Sequence, residues 1–128
     1  MWAAWNYSLT VVEMPPFSRA AEAVWDEDEL GKLTDYLAFN PEAGDVIPGT
    51  GGVRKLRWGY SGKGKRGGAR IIYYFRDLNM PVYLLALYKK GEKDTLSQKE
   101  KKMMELYVAE LVRAHSRRWL RIVNESSA

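Results

Sequence analysis

RIIYYFRDLNMPVYLLALYK, residues 70–89, contains two apolar runs of strand length that are joined by a short segment. The runs at 70–76 and 82–88 are apolar at successive positions rather than at alternate ones, which is typical of strands buried on both faces. Residues 77–80 are few enough for a hairpin connection. The stretch therefore predicts two central, antiparallel strands of a sheet, at 70–76 and 81–89.

The segments on either side of this hairpin predict the rest of an α+β domain. Residues 5–14 are rich in β-forming residues and stop at a double proline, whereas residues 17–39 show apolar residues at helical spacing. Ser97 and Glu100 have the spacing of a capping box, which predicts a helix from there to beyond Arg113. The predicted elements are strands at 5–14, 53–58, 70–76 and 81–89, and helices at 17–25, 26–39 and from 97.

This order, β-α-α-β-β-β-α, predicts helices packed on a small, mainly antiparallel sheet. The glycine-rich segments 41–52 and 59–68 are expected to be loops, the second of them mobile. We expect one domain over 1–128, with a core of about 5–113. Residues from about 117 to 128 either extend the last helix or form a tail.

The composition excludes several kinds of chemistry. The 128 residues are 46% apolar, which is enough for a core, and they contain no cysteine, so a disulfide, a thiolate metal site and a cysteine nucleophile are ruled out. His115 is the single histidine, so a two-histidine acid–base pair is ruled out as well. No apolar run has the length of a membrane helix and no leader pattern opens the chain, so we expect a cytoplasmic protein.

Charge is distributed unevenly along the chain. Residues 46–76 contain eight lysines and arginines and no acid, whereas the first 45 residues carry a net charge of −7. A strongly positive, glycine-rich segment is typical of a site for a polyanion, and we expect the polyanion to be a nucleic acid.

Strand alternation places the bases of this segment on particular faces of the sheet. Lys55 and Arg57 share one face of their strand, and if the three strands are adjacent, Arg57, Arg70 and Lys90 converge at one surface. Such a cluster can bind a scissile phosphate and stabilise its developing charge. The alternative is a positive face that merely binds phosphate. Tyr88, beside the lysines, can stack on a base.

Two phosphate-loop patterns overlap in the glycine segment, but their context argues against a nucleotide cofactor. Gly62, Gly64 and Gly67 match G-x-G-x-x-G, and part of a Walker A pattern is present with Arg66 at the magnesium-binding position. Both patterns require a following helix, whereas here a strand follows. We therefore predict no cofactor.

The run from Asn40 to Tyr74 resembles the RelE/ParE superfamily of toxins from type II toxin–antitoxin modules, in its HigB-like branch. Three signature segments carry the resemblance: GDVIPGTGGVRKLR at 44–57, GKGKRGGARIIYYF at 62–75 and VYLLALYKKGEKDTLS at 82–97. The resemblance implies a RelE-like fold and a ribosome-dependent endoribonuclease, or mRNA interferase. Such an enzyme cleaves translated mRNA by attack of the ribose 2′-OH on the adjacent phosphate, without a metal ion, and so inhibits translation.

The resemblance also implies roles for individual residues. Arg57 would orient the RNA, Arg70 would stabilise the phosphorane, and Lys90 would act as an acid or as a charge stabiliser. Lys89 stands where the family commonly has a small residue, so the resemblance leaves Lys89 and Lys90 as alternatives for the catalytic lysine. No counterpart of the C-terminal tyrosine of some members follows Thr95, so no general base is assigned. Expected to bind RNA or the ribosome are Arg54, Lys55, Lys63, Lys65, Arg66, Tyr88, Lys89 and Lys93.

The partner that the resemblance implies is an antitoxin with a helix-turn-helix DNA-binding domain, besides the ribosome and mRNA. An acidic or amphipathic antitoxin segment would cover the basic sheet face. Two other functions are alternatives. One is a gyrase-inhibiting toxin of the ParE branch, whose members generally lack the basic cluster, and the other is a non-catalytic nucleic-acid-binding module of the same fold.

Overall fold

The computed structural model describes residues 9–60, 64–89, 91–93 and 95–127. Within these ranges the chain forms a mixed sheet with helices on both sides. Its elements are β1 (Val11–Glu13), α1 (Pro15–Glu22), α2 (Glu27–Phe39), β2 (Asp45–Val46), β3 (Val53–Tyr60), β4 (Gly64–Tyr74), β5 (Val82–Lys89) and α3 (Gln98–Ser127). The predicted α+β class is confirmed.

The predicted hairpin lies at the centre of the sheet. The strand order is β1-β5-β4-β3-β2, in which β1 pairs with β5 in parallel and the other pairs are antiparallel. Ile72 is opposite Ala86 and Tyr73 is opposite Leu84, so β5 has one extra residue, Leu85, at this point. This β-bulge reverses the alternation of side chains along the second half of β5.

Both faces of the central strands are buried. Because successive strand residues point to opposite faces, the run Ile71–Tyr74 contributes to two separate cores. One core lies between the sheet and the first two helices and includes Phe17, Leu33, Leu37, Ile71, Tyr73 and Leu84. The other lies under α3 and includes Val53, Ile72, Tyr74, Leu85 and Val108.

The prediction of a loop over residues 59–68 was wrong for most of that segment. β3 continues to Tyr60 and β4 starts at Gly64, and these two residues are paired across the strands. Glycine is a poor strand former, but extended backbone costs it no steric strain, and the strands stay paired here despite a register shift between Trp58 and Tyr60. Residues 61–63 lie outside the described residues.

Two further differences concern strand boundaries. β2 is a short strand within the predicted loop 41–52, held by pairing of Asp45 with Lys55 and of Val46 with Arg54. β1 is described only from Val11 to Glu13, and residues 5–8 of the predicted strand lie outside the described residues.

The loop before β2 is fixed to the sheet by a buried tyrosine. The Tyr73 hydroxyl donates a hydrogen bond to the carbonyl oxygen of Pro41 (2.8 Å) and accepts one from the backbone N–H of Gly44 (2.7 Å). A Cβ atom at Gly44 would lie 2.8 Å from both the Lys55 carbonyl oxygen and the Tyr73 ring. Only glycine allows this close approach of loop and sheet.

The last helix begins at the predicted capping box. The backbone N–H of Glu100 donates to the Ser97 hydroxyl oxygen (3.1 Å), and the Ser97 N–H donates to Glu100 Oε1 (2.8 Å). The helix continues to Ser127, so of the two possibilities for the segment after Arg117 the structure shows a continued helix. None of the helices in the described ranges is long and apolar enough to span a membrane.

Candidate functional site

A basic cavity of about 210 Å³ lies where the central strands meet the start of α3. This volume is below the roughly 300–1,000 Å³ of pockets for drug-sized ligands, so it suits a small anionic group. Four of its ten described lining residues are lysine or arginine and none is acidic. The lining residues are Ile47, Pro48, Lys55, Arg70, Ile72, Tyr88, Lys93, Thr95, Leu96 and Lys101.

Three adjacent strands bring the bases together. Arg57 on β3 is directly opposite Arg70 on β4, which is in turn opposite Tyr88 on β5. Side chains of directly opposite residues share a face, with Cβ atoms about 4.5–5.5 Å apart. Lys55, two residues before Arg57, therefore also lies on this face. The structure thus places Arg57, Arg70, Tyr88 and Lys55 together on the side of the sheet that α3 covers.

The pairing of Arg57 with Arg70 points to an anion. Like charges directly opposite each other destabilise a sheet. Arg57 is exposed and Arg70 is half-buried, so water screens the pair only in part. An anion bound at this pair would reduce the repulsion, and a guanidinium group can donate bidentate hydrogen bonds to a phosphate.

Hydrogen bonds connect the cavity to the start of α3. Arg70 donates from one guanidinium nitrogen to the backbone carbonyl oxygen of Lys93 (3.4 Å). The Lys93 ammonium lies 2.7 Å from Glu100 Oε2 and donates to Oε1 at 2.9 Å. Glu100 also closes the capping box of α3. Its carboxylate therefore links the start of this helix to Lys93, one of the lysines that line the cavity.

Comparison with known families identifies the chain. The family described as the RelE toxin of the RelE / RelB toxin-antitoxin system matches residues 44–127. The chain belongs to the RelE toxin family. The matched span contains every residue that lines the basic cavity. As a member of this family the chain is the toxin of a toxin–antitoxin system, it has a cognate antitoxin, and toxins of the family are generally endoribonucleases.

In this RelE-family toxin, hydrogen bonding or burial shifts the pKa values of three groups at the cavity. The hydrogen bond from Lys93 lowers the pKa of Glu100 to about 2, with a smaller contribution from the Ser97 N–H. The same bond to Glu100 raises the pKa of Lys93. Burial raises the pKa of Tyr88. At neutral pH the ion pair is therefore fully charged and the Tyr88 phenol stays protonated, able to donate a hydrogen bond.

Two of the predicted RNA-binding residues of the toxin do not lie in the cluster. Arg54 alternates to the other face of β3, where its guanidinium donates to the carbonyl oxygens of Gly44 (2.7 Å) and Glu42 (3.2 Å). Lys89 is opposite Ala69, a residue of the core under α1 and α2, so Lys89 also lies on the face away from Arg70. Arg54 thus stabilises the loop before β2 and does not line the cavity.

Other predicted site residues fall partly or wholly outside the described part of the toxin. Lys63 and Lys90 lie outside the described residues. Lys65 and Arg66 belong to β4, but their side chains are outside what the structure describes. The roles assigned to these four residues stay predictions.

Sequence reasoning missed Lys101, which lines the cavity from the first turn of α3. The capping box at Ser97 and Glu100 indicates where the helix starts, but not which side of its first turn meets the sheet. The packing of Met104 and Val108 under the helix sets this rotation and turns Lys101 inward, three residues before Met104.

The Lys93–Glu100 ion pair predicts a specific acid sensitivity of the toxin. The Glu100 pKa is lowered from 4.5 in the free group to about 2 in the folded chain, so the pair stabilises the fold above pH 4.5 and loses this effect as the pH falls towards 2. We expect the melting temperature of the wild type to exceed that of Glu100→Gln at neutral pH, and the difference to narrow through this window. Thermal unfolding followed by circular dichroism across the pH range measures it. A difference in melting temperature that stays the same at every pH would show that the Lys93–Glu100 ion pair does not cause this difference.

Proposed function

We propose that this toxin is a ribosome-dependent mRNA endoribonuclease of the HigB-like branch. The observation that carries the proposal is the cross-strand pair Arg57–Arg70 at the edge of a cavity lined by Lys55, Lys93 and Lys101. A site with so much positive charge suits an RNA phosphate, and a small cavity suits the reacting group rather than a whole nucleotide.

The proposed reaction is attack of a ribose 2′ oxygen on the adjacent phosphorus. The new P–O2′ bond forms while the P–O5′ bond breaks, which leaves a 2′,3′-cyclic phosphate and a 5′-OH end. The 2′-OH loses its proton to a base, and the departing 5′ oxygen gains one. Negative charge accumulates on the phosphorane between these steps, so fixed cationic donors lower its free energy more than that of the ground state.

The position of each side chain supports a division of roles. Arg70 is half-buried at the cavity and donates to the Lys93 carbonyl oxygen, which supports a role in stabilising the phosphorane. Arg57 is exposed across from it, which supports a role in holding and orienting the RNA backbone. Tyr88 offers a protonated phenol and an aromatic face for a neighbouring base. Lys90 keeps the role that the family resemblance implies, as acid or charge stabiliser.

These cations supply the positive charge that a metal ion supplies in other nucleases, so we propose a metal-independent reaction. The proposed setting is the bacterial cytoplasm, where mRNA is presented on the ribosome. We further propose that the cognate antitoxin carries a helix-turn-helix DNA-binding domain and blocks the basic sheet face with an acidic or amphipathic segment.

The test is cleavage by the purified toxin of mRNA on translating ribosomes, with mapping of the new 5′ ends. We expect cuts within the translated region, 2′,3′-cyclic phosphate and 5′-OH ends, and no cleavage of the same mRNA without ribosomes. Growth arrest in cells with intact mRNA would instead indicate a gyrase-type target. RNA binding without any cleavage would indicate a non-catalytic module.

A further inference from the structure

We propose that Glu100 is a positioning residue of the cavity, which holds Lys93 and, through the Lys93 backbone, Arg70 in the arrangement that receives the phosphate. This inference rests on the proposed function, since it assigns a further residue to that reaction. Glu100 touches neither the phosphate nor the reacting oxygens in this arrangement, and it acts through the two basic residues.

The carboxylate of Glu100 is well placed to set the position of Lys93. It accepts from the Ser97 N–H at 2.8 Å, which fixes it to the first turn of α3. Its two oxygens lie 2.9 and 2.7 Å from the Lys93 ammonium. The side chain of Glu100 is 34% exposed and that of Lys93 is 32% exposed, so the ion pair is partly shielded from water and salt. The ordering of a long lysine side chain is thus completed during folding rather than on RNA binding.

The bond from Arg70 extends the effect of Glu100 across the cavity. The Lys93 carbonyl oxygen accepts from the Arg70 guanidinium at 3.4 Å, a long bond that depends on where the Lys93 backbone lies. A shift of this backbone would remove an acceptor that orients the guanidinium plane. Because bidentate contact with a phosphate requires a defined plane, a loss of orientation lowers the rate more than the affinity.

Neutralisation of Glu100 is expected to affect RNA affinity and cleavage rate differently. Glu100 is a negative group beside a cluster that binds a polyanion, so its neutralisation raises the local positive charge by one. RNA affinity should then stay equal or increase, and its salt dependence should steepen by up to about one unit of slope. The cleavage rate should fall because the geometry is lost. A residue needed only for folding would lower the rate, the affinity and the melting temperature together.

The experiment compares Glu100→Gln with the matched variant Glu110→Gln. Glu110 lies on the same helix, pairs with Arg113 at 2.6 Å and Arg117 at 3.7 Å, and is not among the residues that line the cavity. Both substitutions remove one negative charge, and glutamine at position 100 retains the ability to close the capping box. We expect the single-turnover cleavage rate on ribosome-bound mRNA to fall roughly ten- to a hundredfold for Glu100→Gln. We expect no fall for Glu110→Gln.

Binding of a single-stranded RNA oligonucleotide as a function of salt gives the second measurement. Affinity of Glu100→Gln equal to or above that of the wild type, combined with the slower cleavage, supports the proposal. Wild-type cleavage by Glu100→Gln, or an equal loss in both glutamine variants, overturns it while leaving the proposed function in place. A wild type that does not cleave overturns the proposed function and this inference with it.

A further variant covers the case in which Glu100→Gln does not fold. Glu100→Asp keeps the negative charge but shortens the reach to Lys93 by one methylene. We expect a folded protein with slower cleavage and an unchanged salt slope of RNA binding. Cleavage at the wild-type rate by Glu100→Asp would overturn the requirement for the position of the carboxylate.

Discussion

Arg70→Ala is expected to lower the rate of mRNA cleavage on the ribosome by roughly 10²–10³-fold, the usual cost of removing one preorganised donor to a developing charge. Arg70 is the arginine that lines the basic cavity, it lies between Arg57 and Tyr88 on adjacent strands, and it donates a hydrogen bond to the Lys93 carbonyl oxygen. Alanine removes the charge and its donors but retains the strand, because the backbone pairing of β4 on both sides is independent of the side chain.

Arg76→Ala provides the matched control. It removes the same charge, but Arg76 follows the end of β4, its side chain is 52% exposed, and it pairs with Asp77 rather than lining the cavity. We expect this variant to cleave at nearly the wild-type rate. Single-turnover cleavage with mapping of 5′ ends measures both variants, and a thermal melt verifies that each is folded. Equal losses in the two variants would mean that overall charge, not a positioned guanidinium, is what the reaction needs.

RNA binding by Arg70→Ala separates catalysis from attachment. Loss of one phosphate contact should weaken binding and reduce the salt slope by about one. If the toxin were only a nucleic-acid-binding module, the wild type would not cleave mRNA. Arg70→Ala would then only weaken RNA binding.

The central hairpin could be predicted because its physical signal is strong. Short runs of successive apolar residues are typical of strands with cores on both faces, and β4 and β5 have such cores. The meeting of Arg57 with Arg70 could also be predicted, since alternation fixes the face of each residue once the strands are known to be adjacent. Both predictions depend on local periodicity together with one assumption about pairing.

The bulge in β5 shows why the end of that strand could not be predicted. Strict alternation from Tyr83 would place residues 85, 87 and 89 on the α3 side. The extra residue, Leu85, shifts this pattern, so that Tyr88 rather than Lys89 lies beside Arg70. No glycine or proline marks the bulge in the sequence, and it forms because Leu85 and Ala86 both pack under α3.

The lining of the basic cavity could not be predicted from local sequence patterns either, because it depends on tertiary packing. Lys93, Glu100 and Lys101 come from the start of α3 and the segment before it, and their approach to the sheet depends on how α3 packs. The glycine-rich segment 59–68 is the opposite case, in which composition indicated a loop and cross-strand hydrogen bonds extended two strands into it.

Phe17→Ala is expected to destabilise the fold by about 3–5 kcal/mol, the usual cost of removing a buried phenylalanine from a packed core. Phe17 is completely buried and packs in the core formed by α1, α2 and the sheet, together with Leu33, Leu37 and Tyr73. Since small domains are stable by only about 5–15 kcal/mol, a large part of the free energy of unfolding should be lost. Equilibrium urea denaturation measures the change, with the slope m as a check on two-state behaviour.

Phe39→Ala is the matched control, because Phe39 ends α2 with 54% of its surface exposed. Its loss should cost at most about 1 kcal/mol, since little buried area disappears. Equal destabilisation by the two substitutions would contradict the placement of the core on the α1 and α2 side. Because this core lies on the opposite face of the sheet from the basic cavity, Phe17→Ala should lower cleavage only in proportion to the unfolded fraction. A stabilising osmolyte should therefore restore cleavage by Phe17→Ala and leave the reduced cleavage rate of Arg70→Ala unchanged.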